Sequence, residues 1–204
     1  MVPGIQALPI DVLSRHGSIS LMTIFIPSKK HVYLVDVHAL QSLAFLTATD
    51  DGTTLKTILE SPTITKVFFD LMENAAWPGR RRFVIGLEKC IDTYAPLSNY
   101  EKLRWKAVKE AGLKLCHPKQ GGLYEVFNIR PIQTPIQAYC INDVQYLPQL
   151  REILWRRLNS TWREKVKIET QKRVLESQSK SYEPQSVQKR FGPWECDTTM
   201  GFNI

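Results

Sequence analysis

The chain has 204 residues, 43% of them hydrophobic and 10% aromatic, enough to build the core of one domain with a tail. Its formal net charge is +7, which suits a polyanionic partner without requiring one. No apolar run approaches the ~18 residues of a membrane span and no leader pattern opens the chain, so the expectation is a soluble intracellular protein of the nucleus or cytoplasm with no membrane partner.

Cys90, Cys116, Cys140 and Cys196 are far apart and form no C-x-x-C pair. They read as reduced thiols rather than a disulfide framework. Cys116 and His117 are adjacent instead of being spaced as zinc ligands. The positive charge is concentrated late in the chain: residues 151–190 hold eleven Lys/Arg against five Glu.

In chain order, the apolar run Ile19–Ile26 ends at Pro27, and Val32–Val37 follows after Ser28-Lys-Lys-His31. Two apolar runs joined by a short polar link predict a β-hairpin. Residues 39–48 and 53–60 read as helices, the second capped by Thr53 or Thr54 and stopped by Ser61-Pro62. Thr65–Asp70 reads as a strand. Residues 80–91 carry a helical stripe at Phe83, Val84, Leu87, Cys90 and Ile91. A helix over 98–115 follows, Lys-rich on its outer side. Residues 118–128 read as a loop that becomes extended, and Pro135 opens the next helix, at a position that suits proline. One long helix is expected from about 148 to 177. A Ser-, Gln-, Lys- and Pro-containing tail beyond it reads as disordered. The expected organisation is a domain over 1–150, a basic helix over 151–177 and a tail over 178–204.

The most informative chemistry lies in Ala138-Tyr-Cys-Ile-Asn-Asp-Val-Gln-Tyr-Leu147. Tyr139 and Asp143 are four residues apart and share one helical face. Tyr-x-x-x-Asp at the start of a late helix resembles the third motif of the DEDDy, ribonuclease-D-like 3′–5′ exonucleases. Leu13-Ser-Arg-His-Gly-Ser-Ile-Ser20, Val32–Val37, Lys66-Val-Phe-Phe-Asp70 and Gly122-Leu-Tyr-Glu-Val-Phe-Asn128 resemble the fungal branch of that family in the same order. Glu176-Ser-Gln-Ser179 and Gly192-Pro-Trp194 look like its C-terminal region.

The resemblance implies an α/β fold, a ribonuclease-H-like mixed five-stranded sheet flanked by helices. It implies release of nucleotides from a 3′ end with two Mg²⁺ or Mn²⁺ ions. Such ions lie about 4 Å apart and need several carboxylates to hold them. Asp143 would bind one metal and Tyr139 would orient the attacking water. Arg15, His16, Arg80, Arg81 and Arg82 are candidate contacts to nucleic acid.

The rest of the family's acidic site is not in the sequence. Its Asp-x-Glu motif falls on Ala7 and Pro9, counted back from Arg15-His16-Gly17. Asp11 is single and out of register. Asp70 runs directly into Leu71-Met-Glu-Asn74, where about twenty residues of the family pattern are missing, and parallel neighbours need a crossover of a dozen or more. The expectation is one merged strand through about Leu71, with part of the sheet and one helix deleted. Two readings follow: an impaired exonuclease, or a non-catalytic nucleic-acid-binding or adaptor module with a protein partner.

Overall fold

The computed structural model describes residues 4–9, 19–67, 75–76, 83–183, 186–187 and 191–194. The architecture is mixed α and β. Three strands, β1 (Gly4–Pro9), β2 (Ile19–Ile26) and β3 (His31–Asp36), form an antiparallel sheet in the order β1-β2-β3. The helices are α1 (Val37–Leu40), α2 (Leu43–Leu46), α3 (Leu55–Glu60), α4 (Leu87–Tyr94), α5 (Asn99–Cys116), α6 (Thr134–Val144), α7 (Leu147–Arg157) and α8 (Ser160–Ser177). Contacts divide the chain into two units, one of residues 1–11, 17–68 and 97–148, the other of 12–16, 69–96 and 149–204.

The expected hairpin is present. β2 and β3 pair from Leu21–Asp36 to Ile26–His31, and the 3-10 turn Pro27–Lys29 closes with Lys30 in the left-handed region. β2 is the central strand, and apolar side chains pack on both of its faces. Leu21 joins Cys116, Val126, Phe127, Ile136, Tyr139 and Cys140 in one cluster, while Met22 packs with Val37, Phe45, Leu55 and Leu59 in another. Burial on both sides explains why β2 reads as a continuous apolar run instead of alternating.

β1 has no counterpart in the sequence reading. Among the described residues it is an edge strand, the position in a sheet that tolerates proline, and its register shifts between Leu8 and Pro9. Ala7 and Pro9, where the resemblance would put an acidic motif, sit on this strand, opposite Met22 and Ile19.

Helix ends follow capping chemistry. Thr54, rather than Thr53, caps α3 through a capping box with Thr57, and α3 ends at Ser61. Ser98 and Glu101 form the box that starts α5. Besides β1, four elements differ from expectation. The helix expected over 39–48 is two short helices, α1 and α2, interrupted at Gln41, which has a positive φ. The helix expected over 80–91 starts only after Gly86, and Phe83 instead bridges to Phe191. Residues 118–128 form two 3-10 turns, Pro118–Gln120 and Tyr124–Asn128, rather than extended chain. Between them the backbone at Gly122 runs against Leu115, where a Cβ would lie 2.4 Å from the carbonyl oxygen, so only glycine fits.

The expected long helix over 148–177 breaks at Leu158 and restarts when the Asn159 side chain accepts from the Trp162 N–H at 3.0 Å. An asparagine that caps a new helix outcompetes continuation of the old one. In the expected tail, Trp194 stands edge-on to Trp162 at 5.3 Å. Val67 lies in a β-bridge. The merged strand through Leu71 lies outside the described residues.

Asp36 ends β3 and caps α1 by accepting from the Ala39 N–H at 3.0 Å. Arg130 grips the same carboxylate with two N–H groups and donates to the Phe127 carbonyl at 2.8 Å. The Arg130 hydrogen bond holds Asp36 below the ordinary carboxylate range. A lowered carboxylate stabilises the fold above its unfolded pKa, and that contribution is lost as pH falls through the folded value. Asp36→Asn and Arg130→Gln should each lower stability at neutral pH by about 1–2 kcal/mol, read by urea unfolding. The gap to wild type should close in acid; a gap that stays constant would contradict this role.

Candidate functional site

α6 places Tyr139 and Asp143 on one face, as their spacing requires, and packs against all three strands. Thr134 and Pro135 occupy its first turn. Both site residues are buried, with Tyr139 8% and Asp143 2% exposed. The helix they meet is α5. Trp105, Lys109, Gly112 and Cys116 lie at successive spacings of four, three and four residues, which form one stripe.

That stripe locks onto α6 through a set of short contacts. The Trp105 indole N–H donates to the Asn142 carbonyl at 3.1 Å, and the Asn142 amide donates to the Trp105 carbonyl at 3.0 Å. Gly112 lies under the Tyr139 ring, where a Cβ would come within 2.4 Å of it. Only a residue without a side chain allows this approach.

Lys109 completes the arrangement. Its ammonium donates to Asp143 Oδ1 at 2.6 Å and sits 4.7 Å from the centre of the Tyr139 ring. The two side chains are 16% and 1% exposed, so this is a buried ion pair. The sequence reading placed the lysines of this helix on its outer side. Lys109 instead turns inward to Asp143, and its place on the Trp105–Gly112–Cys116 stripe was the signal that could have found it.

Burial, followed by the charge of Asp143, raises the Tyr139 phenol far above its usual pKa. Tyr139 is therefore a neutral hydrogen-bond donor. Burial likewise raises the Cys116 thiol and pushes the Cys140 thiol up to about 12. Neither is the thiolate that nucleophilic chemistry needs.

The residues described here do not fit a two-metal cage. Among the described residues, no group of three or more His, Cys, Asp or Glu side chains converges. Ala7 and Pro9 offer no carboxylate, and the carboxylate of Asp143 already holds an ammonium. Lys109 was not among the expected site residues. Arg15, His16, Arg80, Arg81, Arg82, Asp11 and Asp70 lie outside the described residues.

No family model, curated protein or solved structure matches the chain. Among the described residues, no helix is long and apolar enough to cross a membrane.

Removing either partner of a buried pair leaves the other charged and uncompensated. Lys109→Met and Asp143→Asn should each cost about 3–5 kcal/mol by the measured behaviour of such pairs. The double variant should cost clearly less than the sum. Urea unfolding of the four proteins checks this; additive effects would mean that the two groups do not interact.

Proposed function

We propose that this chain is a catalytically silent relative of the DEDDy 3′–5′ exonucleases, a nucleic-acid-binding module with a ribonuclease-H-like fold reduced in its sheet. By descent its chemistry would be two-metal hydrolysis of phosphodiesters. The observation that carries the reading is the Lys109–Asp143 pair. A carboxylate neutralised by an ammonium at 2.6 Å has its charge satisfied inside the protein. It is a poor ligand for a divalent cation, which would have to displace the ammonium and leave it buried.

Several features support the fold half of the proposal. Three antiparallel strands carry a helix with the Tyr-x-x-x-Asp pair packed against them. The acidic-motif positions fall on the first strand, beside β2. A nucleic-acid ligand is supported by the net charge of +7 and its concentration in the last quarter of the chain. The reading goes with a nuclear or cytoplasmic protein, and the adaptor form of it adds a protein partner.

The rival reading is an exonuclease that works with Mg²⁺ or Mn²⁺. An end-labelled single strand incubated with the protein and Mn²⁺ separates the two. The expected result is binding without shortening, with affinity that falls steeply as salt rises. Shortening from the 3′ end that Asp143→Asn abolishes would overturn the proposal in favour of the rival.

A further inference from the structure

We infer that the corner between α7 and α8 is a phosphate-binding site for the backbone of nucleic acid, built from Arg151, Trp155 and Arg163. This rests on the nucleic-acid-binding reading and assigns it a place. Its residues are other than Tyr139 and Asp143 and other than the arginines expected to contact nucleic acid.

Arg151 and Trp155 are one turn apart on α7. The Arg151 guanidinium lies 5.2 Å from the centre of the Trp155 ring. Arg163, from the first turn of α8, lies 5.7 Å from the same ring and donates its Nε–H to the Trp155 carbonyl at 3.2 Å. The Asn159 cap that breaks the helix is what brings Arg163 back to Trp155. A straight helix over 148–177 would place these two residues eight positions apart, more than two turns.

Two guanidinium groups thus gather at one indole, and among the described residues no acid neutralises them. Among the described residues, no carboxylate pairs with Arg151, Arg156, Arg157 or Arg163. Glu152 is the only acid between 151 and 163, against four arginines. The rest of α8 behaves differently. Lys167 pairs with Glu164, Lys172 with Glu169 and Glu176, and Arg173 with Glu169. One arm thus holds a self-neutralised stretch and an unneutralised corner. The unneutralised corner is the part that an external anion can complete.

The geometry also selects the kind of contact. Guanidinium groups held over a ring by cation–π attraction can fork their remaining N–H groups onto phosphate oxygens, and Arg163 keeps its terminal nitrogens for this while its Nε–H holds the Trp155 carbonyl. Because those groups already engage the indole, Trp155 positions arginines instead of serving as a platform for bases. The contact is therefore with the backbone and is indifferent to sequence.

The test uses the full chain and fluorescein-labelled mixed-sequence 20-mer single strands, titrated across a range of salt. Removing one phosphate contact lowers the slope of log K against log salt by about 0.7. Arg151→Gln should lower the slope by one such step, and Arg151→Gln with Arg163→Gln by two. Lys172→Gln, from a paired position, should leave it unchanged. Arg151→Lys with Arg163→Lys should keep the slope, since it keeps the charge. Two unrelated 20-mers should bind alike. Wild-type binding with an unchanged slope in Arg151→Gln, a variant that does not depend on the Arg163 hydrogen bond, would overturn the corner and leave the nucleic-acid reading intact. Failure of the wild-type chain to bind at low salt would overturn both.

Discussion

The buried pairing of Lys109 with Asp143 is the constraint on which the centre of this protein depends. A carboxylate 1% exposed has to meet a positive charge, because desolvating it alone costs several kcal/mol. In a metal-dependent nuclease that charge comes from an ion. Here the neighbouring helix provides it. Once Lys109 is committed to Asp143, α5 and α6 must stay at close range, and other contacts fit that range. Gly112 admits the Tyr139 ring, and Trp105 and Asn142 exchange hydrogen bonds across the same seam. Tyr139 and Cys140 then reach the sheet, where they share a cluster with Leu21.

Tyr139 and Asp143 thus share one helical face in a setting that serves packing. Burial holds the phenol neutral and the ammonium takes the carboxylate. Asp36 is likewise satisfied by internal partners, serving both Arg130 and the first turn of α1. The α7–α8 corner is the opposite case, where among the described residues no carboxylate pairs with the arginines. The contrast between satisfied charge at Asp143 and unpaired arginines on the arm is what moves the functional reading from hydrolysis to binding.

Much of the fold was legible in the sequence where local chemistry decides. Pro27 ends the strand Ile19–Ile26, Thr54 caps its helix, Pro135 sits in the first turn of α6, and the Tyr139–Asp143 spacing puts both on one face. What was not legible depends on tertiary partners. β1 has little strand propensity of its own and exists because β2 pairs with it. Lys109 reads as a surface lysine until α6 is placed beside it. The break at Asn159 is a competition between a side-chain cap and helix continuation, and the apolar marks on both sides obscured it. The Pro118–Asn128 segment turns because Gly122 has to pass the backbone of Leu115.

The most direct test of the account is manganese binding to the wild-type chain, followed by the electron paramagnetic resonance signal of free Mn²⁺. If Lys109 stands in place of the metal, the free signal should rise in proportion to added Mn²⁺ from the first addition, with none taken up by the protein at millimolar concentration. Stoichiometric depletion of the free signal that Asp143→Asn restores would show that the carboxylate holds metal after all, and would contradict the account.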